Sequence, residues 1–334
     1  MSVVLDKSKF VRTGDGLYKR GSSWRPMLES TDFVISAEGG LGAHEGVFRS
    51  RGKTSLGVSM AADLINTDAQ GRFLSECNLR ECSKFEQSVL VHGFYNGRKF
   101  VPPALLSFKY NNLFNRDLGP IVDSMGTVVI PLGYDQPIVE GTLDRAEDVL
   151  KKTDVTGLVN FAVGYSGDDV GVLGATCGFN YDTMEAIAEG SKEPLSDVLF
   201  GLATRTKETI NFTRDFIIVV RLTVPPWPYF AQVGPDVPEI PINGISDDNI
   251  NHLYLCDVHR NNGDWRVSLG SGVVLKAAAR GQYLRTARRR VYRTLKNIDV
   301  PFKQYRTDIG QGMERRLRDL ESRGLISGIQ YEEG

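Results

Sequence analysis

Three groups of residues have types and spacings that could do chemistry. The first is a polar, glycine-punctuated loop, Asn115-Arg116-Asp117-Leu118-Gly119-Pro120, with Lys109 just before it. It sits between apolar, strand-like runs at residues 88–94 and 127–130, and polar loops held between strands are where sites tend to lie. The second is a glycine loop at residues 37–46, with Gly39, Gly40, Gly42 and Gly46 around His44. Such glycines let backbone N–H groups approach a phosphate closely. A flexible hairpin connection is the simpler reading, and the loop has neither a lysine nor a Gly-Lys-Ser/Thr signature. The third is an arginine cluster, Arg285, Arg288, Arg289 and Arg293, on a helix-patterned stretch. A solvated helix face is the plainer account; a site for an anionic substrate or a nucleic-acid backbone is the sharper one.

The bulk properties narrow the classes. The chain of 334 residues, with 41% hydrophobic and 24% charged side chains, is ordinary for a globular protein. Its length suggests two domains, or one large domain with an appendage. A net charge of −1 gives no overall attraction to nucleic acid or membrane, so any nucleic-acid contact must come from a local basic face. Cys77, Cys82, Cys177 and Cys256 form no metal-ligand spacing, and the four histidines are scattered. The start of the chain lacks the apolar core of a signal peptide, and no run reaches membrane-spanning length. A cytoplasmic protein with free thiols is expected.

The positioning elements follow from periodicity. Residues 1–30 read as a polar, basic extension. A short strand is expected at 32–35 before the glycine loop, and a strand or helix from Val47-Phe48 onward to about residue 66. The dipeptide Asn96-Gly97 between apolar runs signals a β-hairpin. Residues 143–152 have helical spacing, 157–164 and 170–174 read as paired strands, and helices are expected at 183–189 and 194–203. Residues 216–222 are the most apolar strand, and 253–258 and 273–277 read as further strands. The clearest helix is 282–296, with Leu284, Ala287, Val291 and Leu295 on one face. A last helix is expected at about 311–322. The polar break at 204–214 divides an expected domain at 31–205 from a second at 206–310, with a helix and tail at 311–334.

The order of these pieces resembles the ATP-grasp family of phosphoribosylamine–glycine ligases (glycinamide ribonucleotide synthetases). In that family a Glu-x-Ser-Val-Leu strand precedes an Asp-His-Lys-Arg loop and then Asp-x-Gly-Pro-Asn-Thr-Gly-Gly-Met-Gly. Here Glu86-Gln87-Ser88-Val89-Leu90 is similar to the first, Lys109 keeps the lysine of the second, and Asp117-Leu118-Gly119-Pro120 with Met125-Gly126 is similar to the third. Thr156-Gly157-Leu158-Val159 resembles a Thr-Gly-Val-Leu strand, and Tyr305-Arg306-Thr307-Asp308-Ile309-Gly310 resembles the closing Tyr-Arg-Arg-Asp-Ile-Gly.

The resemblance implies an α+β ATP-grasp fold, two subdomains clasping a nucleotide, followed by a small β-rich C-terminal domain with helices. It implies ATP and magnesium as cofactors, and formation of an acyl phosphate that an amine attacks. On the matching positions it implies catalytic roles for Lys109, Asp117 and Arg306. It implies nucleotide contacts from Gly39, Gly40, Gly42, His44 and Glu76, and a metal contact from Asn180, beside which Asp182 is a candidate metal ligand. The partners implied are a nucleotide and an amino acid or amine, with no membrane.

Three departures bear on function. The chain begins almost directly in the ATP-grasp portion, so a complete phosphoribosylamine site is not expected. In the glycine loop Ser36 replaces the family's first lysine and His44 falls near the second, unless Arg49, Arg51 or Lys53 substitutes. At the family's Glu-Phe-Asn-Val-Arg, one register keeps Asn180 but puts Gly178 at the Glu. An ungapped register puts Ala175 at the Glu and Cys177 at the Asn. Asp168, Asp169 and Asp182 are the candidate replacement ligands. The expected activity is a divergent ATP-dependent carboxylate–amine ligase acting on something other than phosphoribosylamine. The alternatives are a catalytically decayed scaffold used for binding or assembly, and an interaction protein of another fold.

Overall fold

A computed structural model describes residues 87–331 except 123, 167–168, 181, 226, 229–239 and 269–270, together with six strands before residue 87. The chain divides into two compact units, Met1–Phe85 and Glu86–Gly334. The expected boundary at 205/206 falls inside the second unit, where strands from both sides of it share one sheet.

The first unit carries β1 (Ser2–Asp6), β2 (Phe10–Thr13), β3 (Gly16–Lys19), β4 (Phe33–Ala37), β5 (Phe48–Ser50) and β6 (Glu76–Glu81). They form a six-stranded antiparallel sheet in the order β3-β2-β1-β6-β4-β5. Residues 2–19, read from sequence as part of an extension, thus supply three strands of this sheet.

The second unit is built on an eight-stranded antiparallel sheet. Its strands are β7 (Gln87–Tyr95), β8 (Phe100–Lys109), β11 (Gly126–Leu132), β12 (Gly157–Ser166), β13 (Asp169–Cys177), β14 (Phe216–Thr223), β16 (Leu253–Leu255) and β19 (Val273–Gly281). The order is β13-β12-β7-β8-β11-β14-β19-β16. The Asn96-Gly97 turn closes the β7–β8 hairpin, with the Asn96 N–H donating to the Lys99 carbonyl at 3.1 Å. The short strands β9 (Asn112–Phe114) and β10 (Leu118–Ile121) make a small hairpin of the polar loop. Strands β15 (Ile240–Ile242), β17 (Val258–Asn261) and β18 (Asp264–Val267) form a separate three-stranded sheet.

Side chains alternate across a strand, and both faces of the large sheet are packed, which is why β14 is buried along its whole length and apolar except at Arg221 and Thr223. On one face Ile218 and Val220 meet α4 (Leu284–Asn297) and α5 (Met313–Ser322). Leu284, Ala287, Val291 and Leu295 of α4, and Met313, Leu317 and Leu320 of α5, are the buried stripes. Each of these leucine, valine and methionine side chains contributes roughly 1.5–3 kcal/mol of burial. On the other face Val129, Ile217 and Val219 meet α2 (Thr183–Gly190) and α3 (Leu195–Ala203). The helix expected at 143–152 is longer in its N-terminal direction: Pro137–Val139 and a π-turn at Glu140–Asp144 run into α1 (Arg145–Leu150). Among the described residues no helix is long and apolar enough to cross a membrane.

Candidate functional site

The sheet face under α2 and α3 changes character at one end. Val219 is buried among apolar neighbours on this face, and Arg221, two residues on, has the same orientation. Arg221 pairs in register with Lys276, which pairs with Tyr254. Lys109 reaches the same face through Thr127, which is in register with both Lys109 and Val219. Arg221 and Lys276 are nearly inaccessible to solvent, with side chains 3% and 12% exposed, and burial of a cation demands a partner.

The partners come from the segment entering α2. Asp182, fully buried with a left-handed φ of 64°, immediately precedes the helix. Its Oδ1 accepts from Arg221 Nη2 at 3.2 Å and lies 3.4 Å from Lys276 Nζ. Lys276 Nζ also donates to Glu185 Oε1 at 2.6 Å, and His252 Nδ1 lies 3.0 Å from Glu189 Oε2. Asp182, Glu185 and Glu189 therefore line the sheet-facing side of α2 at helical spacing. Burial pushes the Asp182 carboxyl upward, but Arg221 and Lys276 outweigh it and hold it below the usual carboxylate range.

A second polar row crosses the same face. His92 is fully buried, with Nδ1 2.6 Å from Asn160 Oδ1 and Nε2 2.7 Å from Ser107 Oγ. Asn160 Nδ2 donates to the Gly178 carbonyl at 2.8 Å and to Thr176, which leaves its Oδ1 as the acceptor. His92 therefore carries its proton on Nδ1, and Ser107 donates to Nε2. Burial lowers the His92 pKa to about 4; the Asn160 hydrogen bond opposes this and the nearby Lys109 charge adds to it. The row anchors Gly178, so it fixes the start of the segment that carries Asn180 and Asp182.

Asp117 and Arg306, expected as catalytic groups, are brought together although 189 residues separate them. Arg306, 1% exposed, donates from Nε and Nη2 to the two oxygens of Asp308 at 2.8 and 2.7 Å. Its Nη1 donates to Asp117 Oδ1 at 2.8 Å and to the Asn112 carbonyl at 3.2 Å. The guanidinium also lies over the Tyr110 ring at 4.9 Å. Burial raises the Asp308 carboxyl and the bonds from Arg306 and the Arg116 N–H bring it below its ordinary range. Asn115 and Thr307 exchange two further bonds, and Arg116 and Asp117 adopt left-handed φ values of 60° and 56° to present the turn. The group is a clasp between the 115–117 turn and the 306–308 segment, with most of its donors already engaged. Gly126, in the Met125-Gly126 pair, has a packing reason: a Cβ there would lie 2.5 Å from the Val219 carbonyl oxygen.

Gly39, Gly40, Gly42 and His44 lie outside the described residues, as do Ser36's side chain and Asp168. Glu76 opens β6. Asn180 is half-buried, and its carbonyl accepts from the Thr183 N–H at 3.1 Å. The donor set around Asp182 does not fit magnesium, which takes oxygens in an octahedron and uses carboxylates to neutralise its charge. Asp182 offers one buried oxygen, Oδ2, with no hydrogen-bond partner among the described residues. An ion there would face Arg221 and Lys276 at close range, and Glu185 is engaged by Lys276. Among the described residues no three His, Cys, Asp or Glu side chains are grouped to hold a metal. Sequence reasoning missed Arg221, Lys276 and Glu185. Part of their signal was available: Arg221 is the single charge of β14, and Lys276 stands mid-strand among apolar residues of β19, which also carries Arg280 near its end.

No family profile matches the chain. It is 25% identical over 232 residues to the phosphoribosylamine–glycine ligase of Corynebacterium ammoniagenes, covering 66% of this chain and 53% of that protein. The chain spans about half the length of the curated relatives it matches. Among solved structures, the phosphoribosylamine–glycine ligase of Thermotoga maritima superposes with a TM-score of 0.64 at 20% identity, covering 85% of this chain and 70% of that one. The biotin carboxylase domain of Hydrogenobacter thermophilus 2-oxoglutarate carboxylase, solved with MgADP, gives 0.52 at 10% identity, covering 92% and 67%. The chain has the ATP-grasp fold and is a divergent relative of the phosphoribosylamine–glycine ligases.

Proposed function

We propose that this chain keeps the ATP-grasp scaffold as a binding module for a nucleotide or similar phosphate-bearing small molecule, without a ligase-type metal centre. The observation that carries the reading is Asp182. In the segment where the resemblance expects magnesium ligands, this carboxylate is held by Arg221 and Lys276. Acyl-phosphate formation from ATP depends on divalent charge over the transferring phosphoryl group. An internally neutralised cluster of two cations with Asp182 and Glu185 does not supply it. Lys109, on the same sheet face, is the retained group suited to a ligand phosphate.

Calorimetric titration of ATP in magnesium and in EDTA tests this. Equal affinity in the two buffers, with no ADP formed on incubation with mixed amino acids and amines, is expected. Magnesium-dependent binding with ADP release overturns it. Absence of any ATP binding removes the nucleotide from the proposal.

The second reading is a magnesium-dependent ligase joining a carboxylate to an amine other than phosphoribosylamine. The retained Lys109 and the ligase names of the relatives favour it. It requires ADP formation that Lys109→Met abolishes.

A further inference from the structure

The outer face of α4 is strongly cationic. The helix holds six cations, Arg285, Arg288, Arg289, Arg290, Arg293 and Lys296, and no acid. Two are occupied by the fold: Arg288 donates to the carbonyls of Ile309 and Thr307, and Arg290 to that of Arg280. The other four, Arg285, Arg289, Arg293 and Lys296, are exposed and make no ion pair with the described residues. At 100° per residue they fall within one narrow arc, a stripe about 17 Å long with steps of about 6 Å between Arg285, Arg289 and Arg293.

This arrangement does nothing for folding. Like charges four residues apart repel, and Arg285 sits in the first turn, where the helix dipole favours anions. The stripe's opposite face is fully engaged in the core through Leu284, Ala287, Val291 and Leu295. The helix therefore has no apolar face left to enter a lipid surface. Beside its last turn lies Phe302, 79% exposed with a left-handed φ of 60°. Its neighbour Lys303 folds back to donate to the Leu295 carbonyl at 3.4 Å and to that of Ile298, which holds the turn against the helix end. A cationic track ending in an exposed aromatic ring is the pairing used for single-stranded nucleic acid: cations follow the backbone and a base stacks on the ring.

We propose that the outer face of α4, with Phe302 at its end, is a docking track for single-stranded nucleic acid. Four phosphate contacts on a single strand give a slope of log K against log salt of about −3. The overall charge of −1 makes the contact local and readily released by salt.

The test is fluorescence anisotropy with a labelled 20-nucleotide oligothymidine, using the full chain from low to physiological salt. Wild type should bind at low salt with a slope near −3. Arg289→Gln with Arg293→Gln should weaken binding at least fivefold at low salt and halve the slope to about −1.4. Phe302→Ser should weaken it severalfold without changing the slope. Both variants alter exposed side chains, and an unchanged or raised melting temperature confirms that they fold. No binding at low salt, or binding indifferent to the arginine pair, overturns the proposal. So does stronger binding of duplex that ignores Phe302. Binding of oligoglutamate or anionic vesicles with the same dependence on the arginine pair also overturns it, in favour of those partners.

Discussion

Replacing Asp182 by Asn removes the charge that compensates Arg221 while keeping the side-chain shape. Breaking a buried ion pair from one side costs about 3–5 kcal/mol, because the remaining charge stays buried and unpaired. Lys276 retains Glu185 at 2.6 Å, so the lower end, about 3 kcal/mol, is expected. For a unit of this size that corresponds to a fall in melting temperature of about 6–12 °C. The loss must depend on pH in a defined direction. The folded Asp182 carboxyl lies below its ordinary value, so its stabilisation is full above the unfolded pKa of about 4 and disappears as pH falls through the folded value. Urea denaturation of wild type and Asp182→Asn should therefore differ by about 3 kcal/mol at pH 7 and converge in acid. The double variant Asp182→Leu with Arg221→Met should recover much of the loss, since an apolar replacement of the whole pair avoids the orphaned charge. A loss below about 1 kcal/mol at pH 7, or one that does not shrink in acid, refutes the reasoning.

The other predictions concern the remaining polar groups. His92 stays neutral in the fold down to about pH 4, whereas the unfolded chain takes up that proton near pH 6.5. Stability should therefore fall by about 2 kcal/mol between pH 7 and pH 5 on its account; His92→Gln should flatten this window, and parallel profiles contradict the assignment. Arg306→Met should cost about 3–5 kcal/mol because it leaves Asp308 unpaired, whereas Asp117→Ala, at a side chain 68% exposed, should cost under about 1 kcal/mol. Equal losses in the two variants contradict the clasp. Removing the α4 stripe through Arg289→Gln with Arg293→Gln should leave stability unchanged or slightly raised, by about 0.2–0.5 kcal/mol for each like-charge pair relieved; a large loss shows that these arginines have structural partners.

Elements set by local chemistry were legible in the sequence. The Asn96-Gly97 hairpin, the apolar strand at 216–222, the helix at 282–296 and the paired strands around residue 167 all occur within a few residues of expectation. The motifs that suggested ATP-grasp ancestry also pointed to the fold. What was not legible depends on pairing across long separations. The break at 204–214 is polar, yet β14 beyond it inserts beside β11, and no local pattern reports that pairing. Asp117 and Arg306 were singled out for chemistry, and their mutual bond over 189 residues became visible only in three dimensions. Arg221 and Lys276 are visible as charges within apolar strands, but their partnership is not. They become a pair only through the β14–β19 register, and their acids, Asp182 just before α2 and Glu185 within it, come from 39 and 91 residues away.

On the proposed function, the segment entering α2 holds an internal ion pair in place of a metal site. Isothermal titration of magnesium into the wild-type chain saturated with ATP tests it most directly, read beside the same titration with Asp182→Asn. No magnesium uptake beyond that of ATP itself is expected in either protein. A further magnesium site that appears in wild type and is lost in Asp182→Asn, accompanied by ADP formation, would contradict it.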